Sequence, residues 1–498
     1  MFAIGYDIGS SSIKAALVNL DTGETVGLVQ YPEEEMAMYA EQVGWAEQDP
    51  EIWWDAVCKC SKKLLAAHPK TRNNIRSIGI SYQMHGLVLV DKEMQVIRPS
   101  IIWCDSRAVE IGDQIYAQLT PEYCDTHLLN SPSNFTAAKL AWVKENEPEN
   151  YGRIHKMMLP GDYIAMRLTG NICTTATGLS EGIFWDFKND TVSDTLLEKL
   201  GFSSSLIPEI VNTSSHQGIV SKIAADVTGL DAGILVSYRA GDQANNALSL
   251  TVLEPGEIAA TGGTSGVAYG VSDKLISDSQ QRVNSFAHVN HSKDNIRIGQ
   301  LLCINGAGSQ YAWIKKQITQ DGTSYTEMES RIEQIPVGSN GLRVIPFGNG
   351  AERMLNNKQT GAHIHNLQFH MHSRDHIVRA ALEGIAFSFV YGIRLLQELG
   401  VDTNRIKVGN DNLFQSKVFS SSISNLLSCE IEMMDTTGAI GAAQASGIAI
   451  GAFESFGEAV STVKRIKTYS PNNDTEAYSD AYRKWENDLI TLIKNKTN

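Results

Sequence analysis

Residues 2–19 read FAIGYDIGSSSIKAALVN, and this opening stretch decides the predicted fold. A mostly apolar segment leads into a short Gly/Ser turn, and a second apolar segment follows the turn. The pattern predicts two β-strands, Phe2–Gly9 and Ser12–Asn19, joined by a tight connection. A third strand, Glu24–Tyr31, is expected after the turn residues Asp21-Thr22-Gly23. The chain is therefore predicted to begin with a three-stranded meander.

Helix and strand patterns alternate after this meander. Asp49-Pro50 is typical of a helix N-cap followed by proline at the first helical position, and apolar residues at helical spacing come next. The apolar run Ile75–Ser81 predicts a further strand, and Leu87–Val90 predicts another one beyond a turn. The first half of the chain is therefore expected to be of the α/β class.

The opening pattern recurs near the middle of the chain. Residues 257–271 read EIAATGGTSGVAYGV, which again places a Gly/Ser/Thr turn between two strand-like segments. Glu254-Pro255-Gly256 interrupts the pattern just before it, so we expect a boundary near Thr251. The recurrence predicts a duplication with two domains, 1–251 and 252–498.

The second half contains the clearest helix of the sequence. Apolar residues at helical spacing extend over Arg374–Leu399, with Ser373 as the expected N-cap and Gly400 as the terminator. We expect this helix to pack against the second sheet, in which Arg297–Ile304 is a further predicted strand.

Composition excludes several classes of protein. Of the 498 residues, 42% are hydrophobic and 20% are charged, a balance typical of a globular chain and not of a disordered one. Lys and Arg number 42 against 56 Asp and Glu, so the formal net charge is −14. This charge argues against a binder of nucleic acids or anionic membranes.

The cysteines and the N-terminus indicate the compartment. The seven cysteines are scattered and form no C-x-x-C pair, so we interpret them as reduced thiols. Residues 1–7 have no basic n-region, and no run of 18 apolar residues occurs that could span a membrane. We therefore expect a cytoplasmic protein.

The usual nucleotide signatures are absent, but two glycine-rich turns remain. There is no Gly-Lys dipeptide for a Walker A loop, and G-x-G-x-x-G is also missing. The turns at 9–12 and 262–266 each follow a strand and can present amides and hydroxyls to phosphate oxygens. Asp7, at the end of the first strand, is positioned to hold a hydrated Mg²⁺ beside such phosphates.

Together these residues resemble the FGGY carbohydrate kinases. Residues 7–14 are similar to the first phosphate motif of that family, and residues 262–266 to the second. The segment Gly241-Asp242-Gln243-Ala244 lies where the family has its catalytic aspartate. The resemblance covers nearly the whole chain and implies the two-domain fold of actin-like ATPases and sugar kinases, with duplicated ribonuclease H-like domains and a cleft between them.

A second group of residues narrows the resemblance. Residues 83–89, QMHGLVL, together with Arg98-Pro99 and the WCDSR stretch at 103–107, are most similar within the family to the xylulokinases. The resemblance implies that the substrates are a small sugar and MgATP. The implied reaction is ATP-dependent phosphorylation of a ketopentose, D-xylulose to D-xylulose 5-phosphate.

The resemblance also implies roles for individual residues. Asp242 is expected to accept the proton of the reacting hydroxyl, and Asp7 is expected to hold the metal. Sugar contacts are expected from Met84, His85, Asp242 and Gln243. The residues expected to bind the nucleotide are Gly9, Ser10, Ser11, Ser12, Gly263, Thr264, Ser265, Gly409, Asn410 and Asn412. Gly263 and Gly266 are expected to be glycine so that their backbone approaches the phosphates closely.

Two departures from the family pattern leave alternatives open. Residues 408–414 read VGNDNLF where the family has a run of glycines beside adenosine, and Cys104 replaces the usual Asn. The first alternative is an FGGY kinase for another sugar, such as ribulose, fuculose or gluconate. Alternatives of a different class are a catalytically silent sugar-binding regulator and an actin-like ATPase. A homodimer is also left open.

Overall fold

The first half of the chain builds a five-stranded sheet. The computed structural model describes residues 1–350, 352–410 and 412–495. The strands of the first sheet are β1 (Phe2–Ile8), β2 (Ile13–Asn19), β3 (Thr25–Tyr31), β4 (Ile75–Tyr82) and β5 (Leu235–Gly241). Their order is β5-β4-β1-β2-β3; the β1–β2 and β2–β3 pairs are antiparallel, and the β1–β4 and β4–β5 pairs are parallel.

The second half builds a seven-stranded sheet. Its strands are β6 (Glu257–Gly262), β7 (Gly266–Ser272), β8 (Asn284–Ala287), β9 (Ile298–Ile304), β10 (Arg405–Gly409), β11 (Glu430–Met434) and β12 (Arg465–Tyr469). Their order is β8-β9-β7-β6-β10-β11-β12. The β6–β7 and β7–β9 pairs are antiparallel, whereas the β6–β10 and β10–β11 pairs are parallel.

Five strands of each sheet share one topology. The series β9-β7-β6-β10-β11 repeats the series β3-β2-β1-β4-β5 in both order and direction. Each half therefore starts with a hairpin and then returns to place parallel strands on the other side of its first strand. The predicted duplication is confirmed, and β8 and β12 are edge additions to the second copy.

Helices connect the strands and cover both sheets. The α-helices of six residues or more in the first half are α1 (Pro50–Ala67), α2 (Val109–Leu119), α3 (Thr136–Asn146), α4 (Pro148–Arg153), α5 (Pro160–Thr169), α6 (Ala176–Glu181), α7 (Asp194–Leu200), α8 (Lys222–Thr228) and α9 (Asp242–Ser249). Those of the second half are α10 (Ala307–Ile318), α11 (Tyr325–Ile332), α12 (Arg374–Glu398), α13 (Lys417–Leu427), α14 (Gly438–Ser446) and α15 (Thr475–Asn495).

Five short two-stranded sheets lie elsewhere in the described residues. They are Glu47–Gln48 with Ser100–Ile101, Val88–Val90 with Lys156–Met158, Cys173–Thr175 with Glu209–Val211, Trp185–Asp186 with Thr191–Val192, and Arg343–Phe347 with Gly361–His365.

The elements predicted from sequence patterns agree closely with these bounds. The three opening strands differ from the prediction by one residue at some of their ends. Asp49 is the N-cap of α1, and its carboxylate accepts the backbone N–H of Glu51 at 3.0 Å. Helix α12 begins after the N-cap Ser373, ends one residue earlier than predicted, and packs on the second sheet. Local patterns determine these elements because each has its own cap and periodicity.

Helix α12 is long and apolar enough to cross a membrane by length and composition, but 83% of its most apolar 18-residue stretch is buried. A membrane-spanning helix presents its apolar surface to lipid, whereas α12 is covered by the second sheet and its neighbouring helices. We therefore interpret α12 as the core helix of the second half.

Helix α14 of the second half packs on the first sheet. A Cβ atom at Gly5 of β1 would lie 1.9 Å from the carbonyl oxygen of Ala439, and one at Gly79 of β4 would lie 1.9 Å from that of Ala442. Only glycine fits at these two strand positions. The helix itself is built from small residues, so its backbone approaches the sheet closely. This contact joins the two halves directly beside the end of β1.

Candidate active site

Three parallel strands of the first sheet end at one edge. Their register pairs Asp7 of β1 with Ser81 of β4, and Gly241 of β5 with Tyr82 of β4. Helix α9 starts at Asp242, directly after β5. The segments that follow these strands therefore lie side by side at the carboxyl edge of the sheet, which is where open α/β sheets bind their ligands.

Asp7 is held between the two halves. The hydroxyl of Ser81 donates to Asp7 Oδ1 at 3.0 Å. On the other side, a Cβ at Gly438 of α14 would lie 3.0 Å from Asp7 Oδ2, so glycine leaves this oxygen room. Burial raises the pKa of Asp7, while Lys14 and the Ser81 hydrogen bond lower it. One carboxylate oxygen is thus fixed by Ser81, and the other has no hydrogen bond from the described residues.

The carboxyl group of Asp242 lies close to Asp7 and has a raised pKa. Burial and the negative charge of Asp7 raise the pKa of Asp242 to about 7, against hydrogen bonds from the side chain and backbone of Gln243 that lower it. A carboxyl with such a pKa exchanges its proton near neutral pH, as a general base requires. Two neighbouring carboxylates also form an environment that a divalent cation stabilises.

His85 presents a neutral imidazole to the same edge. Its Nδ1 lies 2.9 Å from the carbonyl oxygen of Glu181, and because a carbonyl only accepts, Nδ1 carries the proton. Burial and the positive charges of Lys139 and Arg353 lower the pKa of His85 to about 3. The second ring nitrogen, Nε2, is therefore an acceptor that a ligand hydroxyl can donate to.

Aromatic rings and Met84 form the walls around His85. The His85 ring meets Phe135 edge-on at 4.5 Å and lies 5.3 Å from Phe286, a residue of β8 in the second half. Met84 is buried against Gly241, where a Cβ would come within 2.8 Å of its Cγ. Residues of both halves thus enclose the space in front of Asp242.

The first glycine-rich turn closes the β1–β2 hairpin. The backbone N–H of Gly9 donates to the carbonyl of Ser12 at 3.2 Å. The indole N–H of Trp103 donates to Ser10 Oγ at 3.3 Å, which links this turn to the WCDSR segment. Ser11 is exposed and Ser10 and Ser12 are half-buried, so the side chains of this turn are accessible to a ligand.

The second glycine-rich turn closes the equivalent β6–β7 hairpin and lies on the N-terminus of α10. The carbonyls of Gly263 and Thr264 accept the N–H groups of Gly308 and Ser309 at 2.9 and 3.2 Å. In a trans peptide the N–H points away from the C=O, so the amides of Thr264 and Ser265 face away from α10. Both residues are exposed, and among the described residues neither amide has a hydrogen-bond acceptor, so the two successive amides suit an anion.

The predicted adenosine segment follows β10. Gly409 ends this strand, the carbonyl of Asn410 accepts from the Gln415 side chain at 3.1 Å, and Asn412 starts a 3₁₀ turn that runs to Gln415. Asp411 lies outside the described residues. The segment adjoins the second hairpin, because β10 pairs with β6 and a Cβ at Gly262 would lie 2.9 Å from Leu413 Cβ.

The two halves meet in front of Asp242. Cys303 of β9 pairs with Val267, directly after the second hairpin. Burial first, and then the charge of Asp242, raise the pKa of this thiol to about 11. Asp242 therefore lies within electrostatic range of the second hairpin. The structure brings Asp7, Met84, His85 and Asp242 together at the carboxyl edge of the first sheet, and Cys303, Phe286 and Arg353 of the second half lie near that edge.

Family models agree with this arrangement over both halves. Residues 2–249 match the N-terminal domain of the FGGY family of carbohydrate kinases, and residues 258–450 match the C-terminal domain. The chain belongs to the FGGY family of carbohydrate kinases. It is a phosphotransferase that acts on a sugar, as the resemblance implied.

Several individual relatives are similar in sequence to this kinase over most of its length. It is 31% identical over 410 residues to the xylulose kinase of Staphylococcus xylosus, covering 81% of this chain and 82% of the relative. Over 99% of both chains it is 28% identical to the xylulose kinase of Bacillus subtilis. The solved structure of a xylulose kinase from Rhodospirillum rubrum superposes with a TM-score of 0.90 over the full length of both chains at 24% identity. The predicted two-domain sugar kinase fold is confirmed.

Glu181 is a residue of the kinase site that the sequence did not reveal. This carboxyl is 2% exposed, and its Oε2 would lie 2.4 Å from a Cβ at Gly241, the residue before Asp242. Burial raises the pKa of Glu181 well above its usual range, and the charges of Asp242 and Asp162 raise it further. A cavity of about 10 Å³ lies beside it, also lined by Met84 and Phe286.

Lys139 is a second residue that only the fold reveals. Its ammonium is fully buried and donates to the backbone carbonyls of His85 at 2.9 Å and Ile102 at 3.0 Å. These bonds hold the loop in which His85 adopts a positive φ of 61°. Burial lowers the pKa of Lys139 to about 7. A lysine in a helix is normally exposed, and its sequence carries no signal of this role.

Two further residues near the kinase site have packing or pairing roles in the structure. Gly266 is glycine because of packing: a Cβ there would lie 2.4 Å from Phe389 Cζ of α12, so no approach to a phosphate is needed to explain it. Asp105, in the WCDSR segment, is fully buried, pairs with Arg107 at 2.7 Å and accepts the N–H of Ala46 at 2.6 Å. It is a structural acid and leaves Asp242 as the base candidate of this edge.

Proposed function

We propose that the kinase phosphorylates D-xylulose at the 5-hydroxyl with MgATP. The observation that carries the proposal is the edge at which Asp242, with a pKa of about 7, lies close to Asp7, while Glu181 contacts both the preceding Gly241 and the neutral His85. The relatives that bear the name xylulose kinase and cover most of the chain support this choice of sugar.

In the proposed reaction the sugar hydroxyl oxygen forms a bond to the γ-phosphorus of ATP while the bond from that phosphorus to the ADP oxygen breaks. Asp242 takes the hydroxyl proton as the new bond forms. His85 Nε2 accepts a hydrogen bond from another sugar hydroxyl, and Gln243 and Met84 complete the contact surface. These groups hold the reacting oxygen in line with the phosphorus.

The nucleotide would bind across the two glycine-rich hairpins. The amides and hydroxyls of Ser10 to Ser12 and of Thr264 and Ser265 face the phosphates, while Gly409, Asn410 and Asn412 lie at the adenosine end. Asp7 would hold Mg²⁺, since Ser81 binds its Oδ1 while Oδ2 has no hydrogen bond from the described residues, and its charge reaches Asp242. When bound, the metal supplies positive charge that screens the phosphate oxygens.

In this proposal, domain 1–251 binds the sugar and domain 252–498 binds the nucleotide. Phe286 of the second domain also contacts His85 of the sugar site.

All seven cysteines lie in the described residues and are free thiols, which supports our expectation of a cytoplasmic enzyme.

A coupled assay of ADP release tests the proposed function. Wild-type enzyme is compared on D-xylulose, D-ribulose, L-fuculose and D-gluconate, each with ATP and with GTP. We expect the highest kcat/KM with D-xylulose and ATP, with no ADP release in the absence of Mg²⁺. A tenfold preference for another sugar, or ADP release that does not depend on sugar, would contradict the proposal.

A further inference from the structure

Arg353 brings a positive charge from the second half into the sugar side of the cleft. It begins the 3₁₀ turn Arg353–Leu355, and its guanidinium carbon lies 5.9 Å from the centre of the Phe135 ring. The same Phe135 ring meets His85 edge-on at 4.5 Å. The charge of Arg353 lowers the pKa of His85 and acts on the thiol of Cys303. Arg353 therefore faces the sugar pocket from the half opposite to His85.

The guanidinium is half-buried and has no carboxylate partner among the described residues. One nitrogen, Nη1, donates to the side-chain oxygen of Asn284 on β8, and an arginine carries five N–H donors. Burial lowers the pKa of Arg353, which is the direction expected for a charge that the surrounding chain does not compensate. A half-buried charge with free donors is stabilised when a ligand supplies acceptors.

Contacts with the aromatic wall indicate which end of the sugar pocket Arg353 meets. Its guanidinium carbon lies 5.9 Å from the centre of the Phe135 ring, and that ring meets His85 edge-on at 4.5 Å. Arg353 therefore lies at the His85 end of the pocket. A guanidinium only donates, so it favours an oxygen that only accepts, such as a ketone, over a hydroxyl.

We propose that Arg353 is a substrate-binding residue that recognises the carbonyl oxygen of an open-chain ketose and so distinguishes ketoses from sugar alcohols. The inference rests on the proposed function for the identity of the ketose. It places part of the sugar specificity in the nucleotide half, so full recognition requires both halves.

The test compares D-xylulose with xylitol, which has a hydroxyl where the ketose has its carbonyl. Binding of each ligand to wild type and to Arg353→Gln is measured by calorimetry. We expect the substitution to weaken D-xylulose binding about ten- to hundredfold, since a charged hydrogen bond is lost. Xylitol binding is expected to change less than about threefold. Arg353→Lys, which keeps the charge but loses the planar fork, is expected to fall between them.

Arg394→Gln is the matched control, because Arg394 of α12 lies 4.4 Å from the ring of Tyr482 in α15 and its substitution should leave both affinities unchanged. Equal weakening of D-xylulose and xylitol by Arg353→Gln would overturn the inference in favour of a role in joining the halves. No change for either ligand would also overturn it. If the ADP assay on wild type selects another sugar, the proposed function fails, and the same comparison with that sugar and its alditol still decides the role of Arg353.

Discussion

At the scale of single residues, the most specific prediction concerns substitution of Asp242. Asp242→Asn keeps the side-chain shape but cannot accept a proton, so we expect kcat to fall about 10²- to 10⁴-fold with little change in sugar binding. The wild-type kcat should fall as the pH is lowered through about 7, because protonation of Asp242 removes the base. Steady-state kinetics from pH 5.5 to 9 measure both effects. The kcat of the Asp242→Asn variant should not show this fall toward acidic pH.

Asp294→Asn, at an exposed loop aspartate, is the control for that measurement. Near-normal kcat in Asp242→Asn would remove Asp242 from the mechanism. Asp105 would not replace it, since Arg107 and a backbone amide already bind that carboxylate. Glu181 would then be the next acid to substitute, because it lies directly behind Asp242.

Substitution of Asp7 is expected to change the dependence of activity on Mg²⁺ concentration. Asp7→Asn removes negative charge from the proposed metal position but keeps an oxygen that can accept from Ser81. We expect the Mg²⁺ concentration for half-maximal activity to rise about tenfold, while calorimetry shows unchanged binding of the sugar alone. A defect that is the same at 1 and 50 mM Mg²⁺ would argue against the metal role.

At the scale of secondary-structure elements, the contact of α14 with β1 and β4 decides how closely the halves approach. Gly79→Ala would place a methyl carbon 1.9 Å from the carbonyl oxygen of Ala442. Because both partners are backbone, we expect a loss of about 1 to 3 kcal/mol in the free energy of unfolding, measured by denaturant titration. Gly152→Ala in α4, where nothing lies within 4 Å, should leave stability unchanged or slightly raised.

The packing of Gly266 against α12 gives a second test at this scale. Gly266→Ala should lower the melting temperature because its methyl would lie 2.4 Å from Phe389 Cζ. Phe389→Leu removes ring atoms at that position, so the double variant should lose less stability than the sum of the two single variants. If Gly266→Ala instead melts like wild type and weakens only MgATP binding, glycine is required there by the phosphates.

At the scale of the whole molecule, the shared helix should couple the two halves. The second half cannot unfold completely without detaching α14 from the first sheet, which exposes the glycine-lined surface of β1 and β4. We therefore expect a single calorimetric unfolding transition. D-Xylulose at about 100 times its Kd should stabilise that whole transition by about 2.7 kcal/mol. Two separate transitions, only one of them shifted by the sugar, would show that the halves unfold independently.

The sequence by itself determined the strands, the main helices and the duplicated opening of this protein. Caps, turn residues and apolar periodicity act over a few neighbouring residues, so they can be read without knowing the fold. It also pointed to Asp7 and Asp242, because Asp7 lies at the end of the first strand, Asp242 directly follows another strand, and each adjoins a recognisable glycine-containing motif.

Only the tertiary structure decided what surrounds those residues. The raised pKa of Asp242 depends on burial and on Asp7, which is 235 positions away in the chain (242 − 7). Glu181, Lys139 and Arg353 lie near His85 only because folding brings them there, and their local sequences carry no signal of this. Electrostatic interaction and exclusion of water depend on distance in space, which no local pattern of residues encodes.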